Sequence, residues 1–397
     1  MTEDGILSAG GPGNWWAWAG VRLAPAQAPS APAPPVSPDP GPVGGQHFSG
    51  SAHTVLQSRD IHGNVVVNVG AQDGAPPNLV PWLGALWQHC VAVGASVELR
   101  LLNNADRTLS AYLLCRVAAP DQSLALAAAA RLRDTLPSGL PRSATSPVLD
   151  QTRLSTVLTP FAPHQHGIVE IRKRLTAAHR TRRDAAMPVL AAVTPLDGGT
   201  SWPEMWAALA AFPAPALLSV RLQPFRVGPG LLSRLELWST EFARLAVPGV
   251  PVNPTWPDRP PPDRFAVHAA PLYAAALRRY TELAFEIRVS LASSSAMSND
   301  AAQLLANTIS PARPGAGFAG DAPVIVRPRT PEHTNVAWRN ITVLSADPIG
   351  PIAPEGFPDD SIGDVARALT TIADIHEAAA VFRPPYPIEG SSTRFAD

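Results

Sequence analysis

Lysine is almost missing from this chain. Of 31 cationic side chains only Lys173 is a lysine, which leaves 30 arginines. A P-loop needs a lysine between a glycine and a serine or threonine, so that Nζ reaches the β/γ-phosphates. Lys173 stands between Arg172 and Arg174, which excludes a P-loop NTPase, and the same scarcity removes the protein-kinase and Ser-x-x-Lys patterns. Cysteine is equally scarce. Cys90 and Cys115 lie in apolar runs without a Cys-x-x-Cys spacing, and read as buried free thiols of a reducing cytosol. Charged residues make up 16% and the net charge is −1, so no global basic field recruits nucleic acid. Apolar stretches are interrupted well short of the roughly 18 residues that a membrane span requires. The start, Met1-Thr2-Glu3-Asp4, lacks the basic-then-apolar order of a signal peptide, so a cytoplasmic protein without a membrane span is expected.

Motifs for catalysis and cofactors fail one by one. The Gly315–Gly320 stretch spells G-x-G-x-x-G, but prolines precede it and a strand-like run comes after it, the reverse of what a pyrophosphate site needs. His164-Gln165-His166 lacks a carboxylate or cysteine to complete a metal set. Position 380 is alanine where His376-Glu377 would need a second histidine, and no Gly-x-Ser-x-Gly elbow exists. The expectation is a non-enzyme with no catalytic, cofactor or metal residues.

What the chain has in abundance is proline, 45 residues, together with alanine and arginine, a bias typical of high-GC bacterial genomes. Prolines crowd between Pro25 and Pro42, so residues 1–50 are expected to form a disordered arm. That arm carries Trp15, Trp16 and Trp18, which either dock on the body or anchor a partner. Pro248, Pro251, Pro254, Pro257 and Pro260 recur at the period of polyproline II, predicting a rod over 248–263 that serves as stiff linker or docking ligand.

Periodicity predicts an α+β body on either side of that rod. Helices are expected over 81–93, 123–136, 169–182, 202–211, 231–246, 269–283, 299–308 and 362–375. Strands are expected over 96–103, 109–117, 152–159, 188–194, 216–223, 285–291 and 324–327, with 96–117 as a hairpin. The run from 188 to 223 reads as a β-α-β crossover. Residues 113–136 and 285–309 share a layout of strand with central Arg-Val, polar loop and alanine-rich helix. The repeat predicts two ferredoxin-like β-α modules, 77–247 and 264–390, joined by the rod.

Two segments suggest contacts with other molecules. Between residues 51 and 76, the positions of Val55, Gln57, Ile61, Gly63, Val65 and Val67 fall on one face at period two, without proline and with little net charge, the pattern of an in-register self-associating strand. The competing reading is a β-hairpin turning at His62-Gly63-Asn64. Arg172, Lys173, Arg174, Arg180, Arg182 and Arg183 form the one dense basic stretch, readable as a solvated helix or as a contact for nucleic acid or another anion.

Residues 53–69 resemble the RHIM-related amyloid signalling motifs of bacterial and fungal immune proteins, with aliphatics alternating around a glutamine and an Ile-x-Gly-x-Val centre. A second resemblance spans most of 77–390. It is carried by Glu170 to Leu175, Trp202 with Trp206, Leu218 to Pro224, and Asp374 to Pro385. It is similar to the region preceding the motor in HerA/FtsK-like and type IV secretion ATPases of actinomycetes. The resemblance implies subunit assembly or partner binding, with the Phe-Arg-x-Pro segment leading toward an ATPase domain that this sequence does not contain. The expectation is an adaptor or scaffold that pairs in trans with such an ATPase, in bacterial defence or DNA transfer, and self-associates through 53–69. The alternative is a nucleic-acid-binding accessory protein using the 172–183 cations.

Overall fold

The computed structural model describes residues 5–26, 76–141, 143–199, 201–251, 259–281, 283–311, 322–388 and 393–396. Its first half contains β1 (Leu7–Gly11), β2 (Asn14–Pro25), α1 (Val80–Ala92), β3 (Ser96–Asn103), β4 (Leu109–Ala119), α2 (Gln122–Thr135), β5 (Ser143–Val148) and α3 (Gln151–Leu158). The second begins with β6 (Ile168–Arg172), β7 (Leu175–His179), β8 (Val189–Val193), α4 (Trp202–Ala210), β9 (Ala216–Arg226), α5 (Pro229–Leu245) and α6 (Arg264–Arg279). It continues with β10 (Leu283–Ser293), α7 (Asn299–Ile309), β11 (Val324–Val326), α8 (Pro331–Thr342), α9 (Asp364–Thr371), β12 (Ile372–Asp374) and α10 (Ile375–Val381). Among the described residues, no helix is long and apolar enough to cross a membrane.

The fold is mixed α+β around a ten-stranded antiparallel sheet in the order β1-β2-β4-β3-β9-β10-β6-β11, with β5 also on β2 and β12 also on β10. Chain order and spatial order repeat in its two halves. The first reads β5-β2-β4-β3, the second β11-β6-β10-β9, and they meet where Leu99 faces Val220 and Leu101 faces Leu218. The segments matched in the sequence occupy corresponding places, β4–α2 and β10–α7. Period-two alternation gives the sheet two chemically different faces. Val97, Leu99, Leu101, Val220, Leu222, Phe285 and Val289 belong to the main core together with residues of α1, α2, α4, α7 and α10. The alternate positions carry Glu98, Arg100, Ser219, Arg221, Arg288 and Ser290, all buried. α3 and α8 join smaller clusters with Leu114 of β4, and with Leu217 of β9 and Ala292 of β10, on this second side.

Several expectations are corrected. The first 50 residues are not one disordered arm, because residues 7–25 form β1 and β2 inside the sheet. Asn14–Pro25 alternates, burying Ala17, Ala19, Val21 and Leu23 in the main core, while Trp15 and Trp18 pack on opposite sides of the strand. The Pro-rich stretch from 27 and the 53–69 motif, with Val55, Gln57, Ile61, Gly63, Val65 and Val67, lie outside the described residues, as do 252–258 of the expected rod.

A boundary at 248–263 does not separate two sheets, since β9 before it and β10 after it pair along their lengths. The helix expected over 169–182 is β6 and β7. Its arginines and leucine favour a helix in isolation, but Val169 and Ile171 alternate into the main core, and tertiary burial decides. The strand expected over 152–159 is α3, whose N-cap Asp150 accepts from the Arg153 amide at 2.7 Å. The crossover of 188–223 does not form: β8 pairs with β7 in a separate two-stranded sheet, packed with α5, α6 and α9. The 362–375 helix is interrupted by β12, whose last residue, Asp374, caps α10.

Two outcomes are expected. Leu23→Ala should cost about 2–5 kcal/mol in urea denaturation, because a buried leucine leaves a cavity; an unchanged midpoint would mean that residues 14–25 are a tail. Burial pushes Cys115 up to about 12 from an ordinary thiol value near 9, and raises Cys90 further. Both thiols should therefore resist iodoacetamide at pH 8 until the protein is unfolded. Because the folded values are raised, this contribution to stability is complete below pH 9 and declines above it as the unfolded thiols ionise.

Candidate functional site

Two charged assemblies are built into the second face of the sheet and its far end. The first lies at the seam of the halves. Glu98 faces Arg221 across β3 and β9, and Arg221 faces Arg288 across β9 and β10. Glu98 receives Arg100 Nε at 2.7 Å on one carboxylate oxygen and Arg288 Nη2 at 2.7 Å on the other. Several of the remaining guanidinium donors go to carbonyls at or just past helix ends. Arg100 donates to the Val157 and Leu158 carbonyls of α3 and, at 2.6 Å, to Ile341 of α8. Arg288 donates to the Asn340 and Ser345 carbonyls, Arg221 to Leu344 at 2.8 Å, and Arg116 to Val343 at 2.9 Å. Carbonyls in the last turn of a helix have no intrahelical partner and carry partial negative charge. These arginines therefore clamp α3 and α8 to the sheet. Leu344, just past α8, holds a left-handed φ of 56° while fully buried. A forked donor suits this task and an ammonium does not.

The second assembly surrounds the lone lysine. Lys173 lies where β6 passes into β7 and is buried. Its Nζ donates to Glu377 Oε1 at 2.7 Å and to the Tyr280 hydroxyl at 2.6 Å. Glu377 accepts two further donors, the Leu196 amide at 2.9 Å and the Asp374 amide at 3.0 Å, and the Tyr280 hydroxyl donates to its Oε2. Arg279 pairs with Asp374 beside it. Burial pushes the Lys173 ammonium down against the pull of Glu377, and burial then Glu377 push the Tyr280 phenol well up. The network joins β6–β7, the end of α6, the loop before α4 and the start of α10.

Between these assemblies opens a cavity of about 510 Å³. Glu170 and Arg172 of β6, Glu286 and Arg288 of β10, and β11 with Arg327 and Arg329 contribute to its lining. The loop from Ala346 to Glu355, rich in proline and isoleucine, and Thr370 and Thr371 of α9 complete it. Arg172 Nη2 donates to Glu170 Oε2 at 2.9 Å, but Glu170 Oε1 is buried with no hydrogen-bond partner among the described residues, as is Arg288 Nε.

The six cations singled out in the sequence do not make one surface. Arg172, Lys173 and Arg174 contribute to the cavity lining. Arg180, Arg182 and Arg183 lie in the turn after β7, where Arg180 donates to the Ala185 carbonyl at 2.7 Å and Arg182 is buried against Asp184 and the Val247 carbonyl. Sequence reasoning missed Glu170, Glu377, Tyr280 and the arginines of β3, β9 and β10. The available signal was the placement of single charges at one phase of otherwise apolar strands, as in Ser96–Asn103.

Removing one partner of a buried pair strands the other, so Lys173→Met or Glu377→Leu alone should each cost about 3–5 kcal/mol in chemical denaturation. The double variant should recover part of that loss; additive costs would show that the two side chains do not depend on each other. No family model, curated protein or solved structure matches the chain.

Proposed function

We propose that this chain is a non-enzymatic adaptor: two ferredoxin-like β-α-β-β-α-β modules, fused edge to edge through β3 and β9, that dock in trans on a HerA/FtsK-like translocase ATPase in bacterial defence or DNA transfer. The module reading draws its support from the repeated strand order, with β5-β2-β4-β3 matching β11-β6-β10-β9. The modules on this reading divide between α3 and β6 rather than at 248–263. The partner reading rests on the resemblance of the Glu170–Leu175, Leu218–Pro224 and Asp374–Pro385 segments to the region preceding such motors.

The observation that carries the non-enzymatic reading is the state of Lys173. It is held by Glu377 and Tyr280, and it is only 4% exposed. Arg100 and Arg288, also buried, are likewise committed to helix carbonyls and to Glu98. Groups saturated in this way position secondary structure; they do not present a nucleophile or base to a substrate. The division of the Arg172–Arg183 cations between a cavity and a turn weighs against nucleic acid as the main partner, because backbone binding needs cations tracking one surface. Self-association through 53–69 belongs to the same proposal and rests on the sequence pattern.

Affinity capture with the full chain should retain a P-loop translocase encoded beside it, and the purified pair should co-elute. Recovery of no P-loop protein, together with a steep salt dependence of DNA binding, would replace the adaptor by the nucleic-acid reading. A peptide of residues 50–72 should form thioflavin-positive fibrils that Gln57→Ala with Ile61→Asp abolishes. A soluble, monomeric peptide would remove the self-association claim.

A further inference from the structure

One inner strand of the sheet outruns its neighbour, and the chain covers the difference with residues 394–396. β2 pairs with β4 from Ala119 back to Ala111, which faces Leu23, and the pairing stops there. Pro25, two residues further along β2, has no N–H to give and faces Ser143 of β5 instead. The backbone of Leu109 is thus left beyond the reach of β2. Its amide donates to the Arg394 carbonyl at 2.9 Å, and its carbonyl accepts from the Ala396 amide at 2.8 Å. The residue between those two bonds is Phe395, which forms an isolated parallel bridge with Leu109. Its ring stands edge-on to Trp206 of α4, with centroids 5.5 Å apart, and Tyr386 meets the same indole edge-on at 5.2 Å.

Trp206 is fully buried, yet its Nε1 has no acceptor among the described residues. Trp82, Trp87 and Trp202 each donate to a backbone carbonyl. A buried donor left unpaired is unfavourable, so residues 393–396 close this site without satisfying it. Arg394 is exposed, and Thr393, Phe395 and Ala396 are only partly buried. A segment this short, with two backbone bonds and one edge-on ring, opens without unfolding of the rest. Its mode of attachment is strand addition, in which main-chain bonds set direction and a side-chain contact gives selectivity. We propose that Leu109 and Trp206 form a docking site for an extended partner segment bearing an aromatic residue, and that Thr393–Ala396 occupies it as an internal competitor. The partner segment runs parallel to β4 at Leu109 and sets its ring against Trp206. Covalent attachment gives the internal segment an effective concentration on the order of 1 mM, which the partner has to outcompete. The inference goes beyond the adaptor reading and does not depend on an ATPase partner.

Two measurements test it. In native-state hydrogen exchange of the unmodified full chain, the Ala396 amide should exchange at least about 100-fold faster than those of Leu99 and Leu101. Equal rates would make the segment part of the cooperative fold and overturn the proposal, whatever the variants do. The site itself is probed by fluorescence anisotropy with a dye-labelled peptide of residues 391–397. On the full chain carrying Phe395→Ala, the peptide should bind saturably with a Kd below about 1 mM, and at least about tenfold more weakly on the unmodified chain. Phe395→Ala in the peptide should weaken that binding by about tenfold or more. Three results would overturn the proposal: no saturable binding up to about 5 mM, equal binding to both chains, or binding indifferent to loss of the ring. Because neither measurement involves the ATPase, failure here leaves the capture experiment unaffected.

Discussion

Charge buried at the centre of the sheet is the constraint that organises the rest of the molecule. β3 and β9 meet in the middle of ten strands, so both faces of the seam are covered and neither can be left to water. One face is closed by apolar packing. The other carries Glu98, Arg100, Arg221 and Arg288, which have to find partners in the protein because an unpaired buried ion is prohibitively unfavourable. The arginines find them in Glu98 and in carbonyls at or just past the ends of α3 and α8, groups that themselves lack partners. Two sets of otherwise unsatisfied groups satisfy each other, one helix coming from each half of the chain.

The Lys173 network repeats this logic at the other end of the second half. Glu377 accepts from Lys173, Tyr280, Leu196 and Asp374, so one carboxylate fixes elements that lie far apart in sequence. A short helix such as α10 has little stability of its own, and its capping box is what defines where it starts.

Much of the body is legible in residues alone. β3, β4 and α2 are readable because strong alternation, a turn at Asn104-Ala105-Asp106-Arg107 and an Asp121 cap all agree. The misread β6–β7 segment has a clear cause, long-range burial overriding local preference. Glu170 to Arg174 looks like an exposed helix because four of five residues are charged, yet a strand with alternate charges becomes stable once Glu377 and Arg172 answer them. Asn14–Pro25 reads as part of a proline-rich arm only when its composition is averaged with that of the proline-dense residues up to Pro42. Its own period-two pattern is the better guide. The cavity is not legible at all, since it joins β6, β10, β11, α9 and a loop that no local pattern connects.

The central claim is that one cooperative sheet, joined at β3 and β9, holds both halves. Native-state hydrogen exchange tests it most directly. The amides of Leu99, Leu101, Val220 and Leu222 should exchange only through global unfolding, at the same free energy as those of β4 and β10 and with the same dependence on denaturant. Two separate exchange free energies, one for strands before residue 160 and one for strands after it, would contradict the account.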